Sequence, residues 1–177
     1  AFEPAILDAL PAAPAADIDV SFVGTVSPDH RQRIALLEAV AERYDLKLFG
    51  SRPQALPVIS PLHRCFQGEV WGVDMYQTLR RSRVTLNSHI DLAGREAGNM
   101  RLFEATGVGA FLLTDFKDNL HTLFEPDREV AVWRSVEDCL TGIGRALCEA
   151  EGRAGIARAG HARTMAQHTY HHRTREI

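Results

Sequence analysis

Two glutamates and an asparagine surround a predicted helix start in the stretch REAGNMRLFEATGVGAFLLTD, residues 95–115. Glu96 and Glu104 lie eight positions apart, and Asn99 stands where a helix N-cap belongs. The N–H groups at a helix start bind anions, and a nearby carboxylate can accept hydrogen bonds from both hydroxyls of a ribose. The stretch is therefore the first candidate for a site that binds a ribose and a phosphate.

Further candidate ligands follow the first predicted strand in the segment GTVSPDHRQR. Gly24 would let the backbone turn sharply and a ligand approach closely, and Arg31 and Arg33 stand on the first turns of the next helix. This combination suits a diphosphate. A plain strand-to-helix turn with solvated arginines would have the same pattern, because a single glycine is not a GxGxxG motif.

The segment between Leu86 and Met100 is long for a connection between a strand and a helix, and such long loops tend to be functional. His89 stands at the mouth of this loop, where it is a catalytic candidate or a simple backbone hydrogen-bond partner. At the other end of the loop, the N–H group of Met100 and the side chain of Arg101 could hold an anion. Lys117, in TDFKDN after a third strand, could reach the same place, although a surface lysine is the favoured interpretation.

Spacing alone carries little weight, because Glu129 and Glu137 also lie eight positions apart without any suggestive context. The histidines His168, His171 and His172 lack a nearby carboxylate or cysteine, so a solvated helix end is expected there rather than a metal site.

The composition predicts one globular domain, since the chain has 177 residues, of which 45% are hydrophobic and 24% charged. A formal net charge of -3 argues against a general binder of nucleic acids or membrane surfaces. The three cysteines lack CxxC spacing, and no apolar run is long enough for a transmembrane segment, so a cytoplasmic location is expected. The Ala/Pro-rich residues 1–16 are expected to be an interdomain linker or the tail of a preceding domain, and residues 17–177 the domain itself.

Short apolar runs alternate with helical patterns along the chain. Strands are expected at residues 18–25, 46–50, 64–70, 84–89, 110–115 and 129–135; helices are expected at 29–44, 73–83, 99–107 and 119–124, and through most of the chain from residue 136. Strands separated by helices imply right-handed crossovers and a parallel sheet that is covered on both faces. The predicted fold class is α/β, a Rossmann-like doubly wound sheet, in which ligands bind beyond the carboxyl ends of the strands.

The segments NMRLFEATGVGAFLLTDFKDNLHTLFEPDREVAVWRSVEDCL and ARAGHARTMAQHTYHHRTREI resemble glycosyl transferases group 1, most closely the CgeB-like branch. DVSFVGTVSPDHRQRIALLEA and VTLNSH resemble the same branch, so the match spans roughly residues 17–177. The resemblance implies the C-terminal, donor-binding half of a GT-B fold, whose acceptor is held by an N-terminal domain of the same protein.

The resemblance also implies roles for the two glutamates. Glu104 would bind the ribose hydroxyls of a nucleotide-diphosphate sugar, and Glu96 would contact the donor sugar. No cofactor or metal is implied, because helix N-termini and arginines can stabilise the departing diphosphate. Two alternatives stay open: a nucleotide-sugar epimerase of related fold, and a non-catalytic α/β binding module.

Overall fold

A single sheet forms the centre of the structure, a computed structural model that describes residues 1–12, 15–27, 30–51 and 56–175. Its six strands are β1 (Ile18–Val23), β2 (Leu46–Phe49), β3 (Phe66–Gly68), β4 (Ser82–Leu86), β5 (Leu112–Asp115) and β6 (Ala131–Trp133). The helices are α1 (Ile6–Ala9), α2 (Arg31–Arg43), α3 (Leu62–Cys65), α4 (Gly72–Arg81), α5 (Met100–Gly107), α6 (Leu120–Leu123), α7 (Val136–Cys148), α8 (Ala150–Gln167) and α9 (Tyr170–Thr174), with a 3-10 turn at Asp91–Ala93.

The strands are parallel and lie in the order β3-β2-β1-β4-β5-β6. Val20 of β1 pairs with Leu46 of β2 on one side and with Val84 of β4 on the other. The order of connection therefore reverses between β1 and β4, and this switch point is where doubly wound sheets bind their ligands. The predicted fold class, a Rossmann-like doubly wound α/β sheet, is confirmed.

Two layers of helices bury the two faces of the sheet. Adjacent residues of a strand face opposite sides, so Leu113 packs with α2, α3 and α7, whereas Leu112 packs with α4, α5 and α6. Both leucines are 1% exposed. Consecutive apolar residues such as Leu112 and Leu113 are typical of a strand that is buried on both faces.

Helix and strand boundaries shift by one to three residues from the sequence prediction. Residues 82 and 83, expected at the end of a helix, belong to β4, and a helical turn stands where a strand was expected before β3. The strand expected at residues 64–70 is preceded by the helical turn α3, and only Phe66–Gly68 pair with β2. Pro61 begins this turn with φ near -62°, a value that proline favours at helix starts.

The N-terminal segment packs on the domain. Phe2 is 1% exposed in the core layer of α4 and α5, and its backbone N–H and C=O pair with His168 and Tyr170. The expectation of a solvated helix end is wrong for His168, whose ring is buried beside Phe103 and Phe124. A role of residues 1–16 as a connection between domains stays a prediction.

Candidate functional site

Three segments meet at the carboxyl edge of the sheet, as the sequence predicts. They are the turn after β1, the loop of residues 87–99 after β4, and the loop of residues 116–119 after β5. Residues 28 and 29 of the first segment lie outside the described residues. Because β1 and β4 are neighbours at the switch point, their loops line one crevice, into which the start of α5 opens.

Helix α5 begins at the predicted N-cap. The Asn99 side chain accepts a hydrogen bond from Leu102 N at 3.4 Å, and its amide donates to Asn87 Oδ1 at 2.9 Å. Asn87 in turn donates to Thr114 Oγ1 at 2.9 Å, so the cap is tied to β4 and β5. The N–H groups of Met100 and Arg101 lie in the first turn, where a helix has no partners of its own for them.

Glu104 lies one turn further along α5 and faces α4. Its Oε2 is 2.9 Å from Arg101 Nη1, and both side chains are at least 85% buried. Arg101 Nη1 also lies 3.1 Å from the sulfur of Met75, and Arg101 Nε is buried without a hydrogen-bond partner among the described residues. Burial lowers the pKa of Arg101, and the charge of Glu104 partly opposes this shift. The predicted ribose ligand thus belongs to a buried ion pair between α4 and α5.

Glu96 is exposed in the loop before α5. It lines a cleft of about 380 Å³ together with His89, Gly98 and Asn99. The predicted sugar contact and the predicted N-cap therefore share one cleft, whereas the Glu104 carboxylate is buried against α4.

His89 is buried beside Asp115, which was not among the candidate site residues from the sequence. Its Nδ1 lies 2.7 Å from Asp115 Oδ1, which also accepts the His89 backbone N–H at 3.0 Å. Burial would raise the pKa of Asp115, but the hydrogen bonds and charge of His89, together with the charge of Lys117, hold it below its usual value. Asp115 ends a buried strand at the carboxyl edge of the sheet, and this position is the signal that could have identified it.

The structure contradicts the interpretation of Lys117 as a surface lysine. Its side chain is only 14% exposed, it donates to Gly94 O at 2.6 Å, and it lies 3.4 Å from Asp115 Oδ2. The chain brings Lys117 inward because β5 ends at Asp115 and the following loop folds back over residues 94–98.

Arg33 is 6% exposed and fastens the first two segments together. Its Nη1 donates to Thr25 O and its Nη2 donates to Ser88 O, both at 2.8 Å. Burial lowers the pKa of Arg33, while the charges of Asp115 and Asp91 oppose the shift. The guanidinium of Arg33, which was expected to bind a diphosphate, therefore donates to two backbone carbonyls.

Gly24 lies in the turn after β1, whereas Arg31 begins α2. Arg31 is exposed at the start of α2, and the Gly24 N–H donates to Phe49 O at 2.9 Å. The positive φ of this region belongs to Gly50 (146°), where a Cβ would lie 2.3 Å from Gly24 O. A side chain at position 50, directly after β2, would therefore clash with the turn after β1.

An Asp-x-Asp pattern, formed by Asp17 and Asp19, lies at the opposite end of β1. Asp17 is 2.5 Å from Arg81, and Asp19 is 2.6 Å from Arg83. Within the described ranges no cluster of three or more His, Cys, Asp or Glu side chains could hold a metal ion. None of the described helices is long and apolar enough to cross a membrane.

The sheet order and the crevice at its switch point place the chain in the Rossmann-like α/β class. The chain belongs to the Glycosyl transferase-like family, whose family model matches residues 31–177. No curated protein matches the sequence.

Solved glycosyltransferase structures share the fold at low sequence identity. Sucrose-phosphate synthase from Thermosynechococcus elongatus superimposes with a TM-score of 0.70 at 13% identity, over 96% of this chain and 47% of that protein. Anabaena HepE in complex with UDP-glucose gives 0.64 at 16% identity, over 83% and 43%. The C-terminal domain of a group 1 glycosyl transferase, LpcC from Francisella tularensis, gives 0.66 at 11% identity, over 96% and 100%. This chain therefore spans about half the length of the first two.

Proposed function

We propose that this chain is the donor-binding half of a glycosyltransferase and holds a nucleotide-diphosphate sugar in the crevice between β1 and β4. Membership of the Glycosyl transferase-like family supports transfer of a sugar. The full-length match to a C-terminal domain of a group 1 enzyme supports the donor half. The CgeB-like branch, suggested by residues 99–115, remains part of the proposal.

The observation that carries the proposal is the capped start of α5 at the switch point. Asn99 and Asn87 fix the first turn, so the N–H groups of Met100 and Arg101 are available to a diphosphate without reorganisation of the helix. Arg31 adds an exposed cation at the start of α2, and Gly24 leaves the turn after β1 without a side chain. These groups would stabilise the departing nucleoside diphosphate, which makes the proposed reaction independent of a metal.

The nucleoside is proposed to lie along α4 and α5. Glu104 would accept the ribose hydroxyls, because a carboxylate can accept two such bonds at once. Trp71 directly precedes α4 and is 72% exposed, which offers an aromatic face on which a base could stack. Met75, which contacts Arg101, lies one helical turn after Trp71, so the base and ribose positions adjoin.

The sugar is proposed to extend to the cleft that Glu96 lines. The acceptor and the groups that position it would come from an N-terminal domain of the same cytoplasmic protein. Since positioning can contribute several kcal/mol to lowering a barrier, the donor half alone should bind but not transfer.

The test compares binding with transfer by this chain. Calorimetry with UDP-glucose and other nucleotide sugars should give saturable binding, while incubation with radiolabelled donor and candidate acceptors should give no transfer product. Transfer by the 177-residue chain at a rate comparable to that of an intact two-domain enzyme would refute the assignment as a donor half. Release of free epimerised sugar would favour the epimerase alternative.

A further inference from the structure

Residues 117–119 of the loop after β5 contact residues 94–97 of the loop before α5. Lys117 Nζ donates to Gly94 O at 2.6 Å, and the backbone N–H of Asp118 donates to Arg95 O at 2.9 Å. The Arg95 and Asp118 side chains also form an ion pair. We call residues 94–99 the donor loop, since they include Glu96 and end at the α5 cap.

Asn119 makes two further contacts with the donor loop. Its Oδ1 accepts from Ala97 N at 2.6 Å, and its Nδ2 donates to Ala97 O at 3.1 Å. The side-chain amide therefore pairs with both backbone groups of one residue, as a neighbouring strand would. Ala97 is the only residue between Glu96 and Gly98, so this pairing fixes the backbone that carries the Glu96 side chain.

His89 contacts the next residue of the donor loop. Its Nε2 accepts from Gly98 N in a long hydrogen bond of 3.4 Å, while Nδ1 faces the Asp115 carboxylate at 2.7 Å. A carboxylate only accepts, so Nδ1 carries the hydrogen and Nε2 the lone pair. The His89 side chain is 2% exposed, and both of its ring nitrogens are engaged with the protein.

We propose that Asp115, His89 and Asn119 are positioning residues, which hold the backbone of the donor loop in the conformation that binds the sugar of the donor. His89 thereby acts through Gly98 and not on the substrate. The contacts leave the Glu96 side chain exposed to the cleft. Supporting residues of this kind keep a binding group in place before the ligand arrives. The role in sugar binding rests on the proposed function.

Asn119→Ala removes both bonds to Ala97, and Asp115→Ala removes the acceptor that orients His89. Thr122→Ala is the matched control, because Thr122 is exposed on α6 and its hydroxyl, among the described residues, bonds only to the nearby backbone carbonyl of Asn119. Amide hydrogen exchange and ¹⁵N spectra of the His89 ring report the conformation of the donor loop without any ligand. Calorimetry with UDP and UDP-glucose then measures the affinity of the site.

In Asn119→Ala, the Ala97 amide should exchange roughly tenfold faster, as expected for the loss of two neutral hydrogen bonds. The affinity for UDP-glucose should fall by a similar factor, with that for UDP nearly unchanged. Asp115→Ala should disturb the Nδ1–H signature of His89, and Asp115→Asn should restore it, because the amide keeps an acceptor oxygen. Thr122→Ala should match the wild type in every measurement.

Unchanged exchange at Ala97 and Gly98 in Asn119→Ala and Asp115→Ala would overturn the inference. So would faster exchange with unchanged affinity for UDP-glucose. Failure of the proposed function looks different, because the wild-type chain itself would then bind neither UDP nor UDP-glucose. In that case the exchange and ¹⁵N results would still decide whether the three residues hold the loop.

Discussion

A substitution at Glu104 tests the proposed nucleoside site. Glu104→Gln keeps the shape of the side chain and an oxygen for Arg101, but removes the charge that strengthens hydrogen bonds from ribose hydroxyls. We expect the binding free energy of a nucleoside diphosphate to weaken by about 1 to 3 kcal/mol, the usual range for hydrogen bonds to charged groups. Calorimetry measures the change.

Glu96→Gln is the matched variant, since Glu96 is exposed and is proposed to contact only the sugar. It should reduce affinity for the nucleotide sugar and leave affinity for the nucleoside diphosphate unchanged. Unchanged binding of the nucleoside diphosphate in Glu104→Gln would remove the ribose assignment. Reduced binding of the nucleoside diphosphate in Glu96→Gln would remove the sugar assignment.

The Asp115 carboxylate is expected to make the stability of the domain depend on pH in the acid range. Its pKa in the folded chain lies below the ordinary value of 3.8, so the charged carboxylate stabilises the fold. This contribution is complete above about pH 5, and it is lost as the pH falls through the ordinary value toward the lower folded-state pKa. The Tm of the wild type relative to Asp115→Asn should therefore decrease between about pH 6 and about pH 3. A difference in Tm that stays constant over this range contradicts the assignment.

The residues of the site differ in how far the sequence could predict them. Asn99 was predicted correctly as a cap because capping depends on a few neighbouring residues. Asp115 and His89 are 26 positions apart, and their pairing depends on β4 and β5 being neighbours in the sheet. The burial of Arg33 and Lys117 also follows from contacts between separate loops, which residue type and local spacing do not specify.

Helix α8 packs closely at Gly160 against the segment before β6 and against α5. A Cβ there would lie 2.3 Å from Glu129 O and 3.2 Å from Thr106 Cγ2, whereas a Cβ at Gly155 of the same helix meets nothing within 4 Å. Glycine to alanine usually stabilises a helix interior by up to about 1 kcal/mol. Gly155→Ala should therefore raise the Tm slightly, and Gly160→Ala should lower it because backbone must move. Equal effects of the two substitutions on thermal unfolding would show that the contact at Gly160 is not tightly packed.

Among the elements, the short apolar runs separated by helical patterns predict the order of strands and helices well, because both patterns are local. The boundary between α3 and β3 was not predicted, since both segments are short and the strand forms only by pairing with β2. The packing of residues 1–10 was also not apparent from their Ala/Pro-rich composition. Phe2 is buried in the core layer of α4 and α5, and its backbone pairs with His168 and Tyr170, almost the whole sequence away.

The whole molecule brings the two helix starts and the donor loop to one edge of the sheet. The strand order and the family membership support sugar transfer as the purpose of this arrangement. The chain spans 47% of sucrose-phosphate synthase and 43% of HepE, so the reaction of a complete enzyme is part of the proposal. We propose that the domain by itself binds a donor at α5.

Titration of the ¹⁵N-labelled chain with UDP, GDP and dTDP tests that claim most directly. We expect at least one of them to shift the amide resonances of Met100 and Arg101 in a saturable manner, because their N–H groups are proposed to bind the diphosphate. The amides at the opposite end of the sheet, near Asp17 and Asp19, should stay unchanged. Absence of any shift at Met100 and Arg101 at millimolar concentrations of all three nucleotides would contradict the proposed donor site.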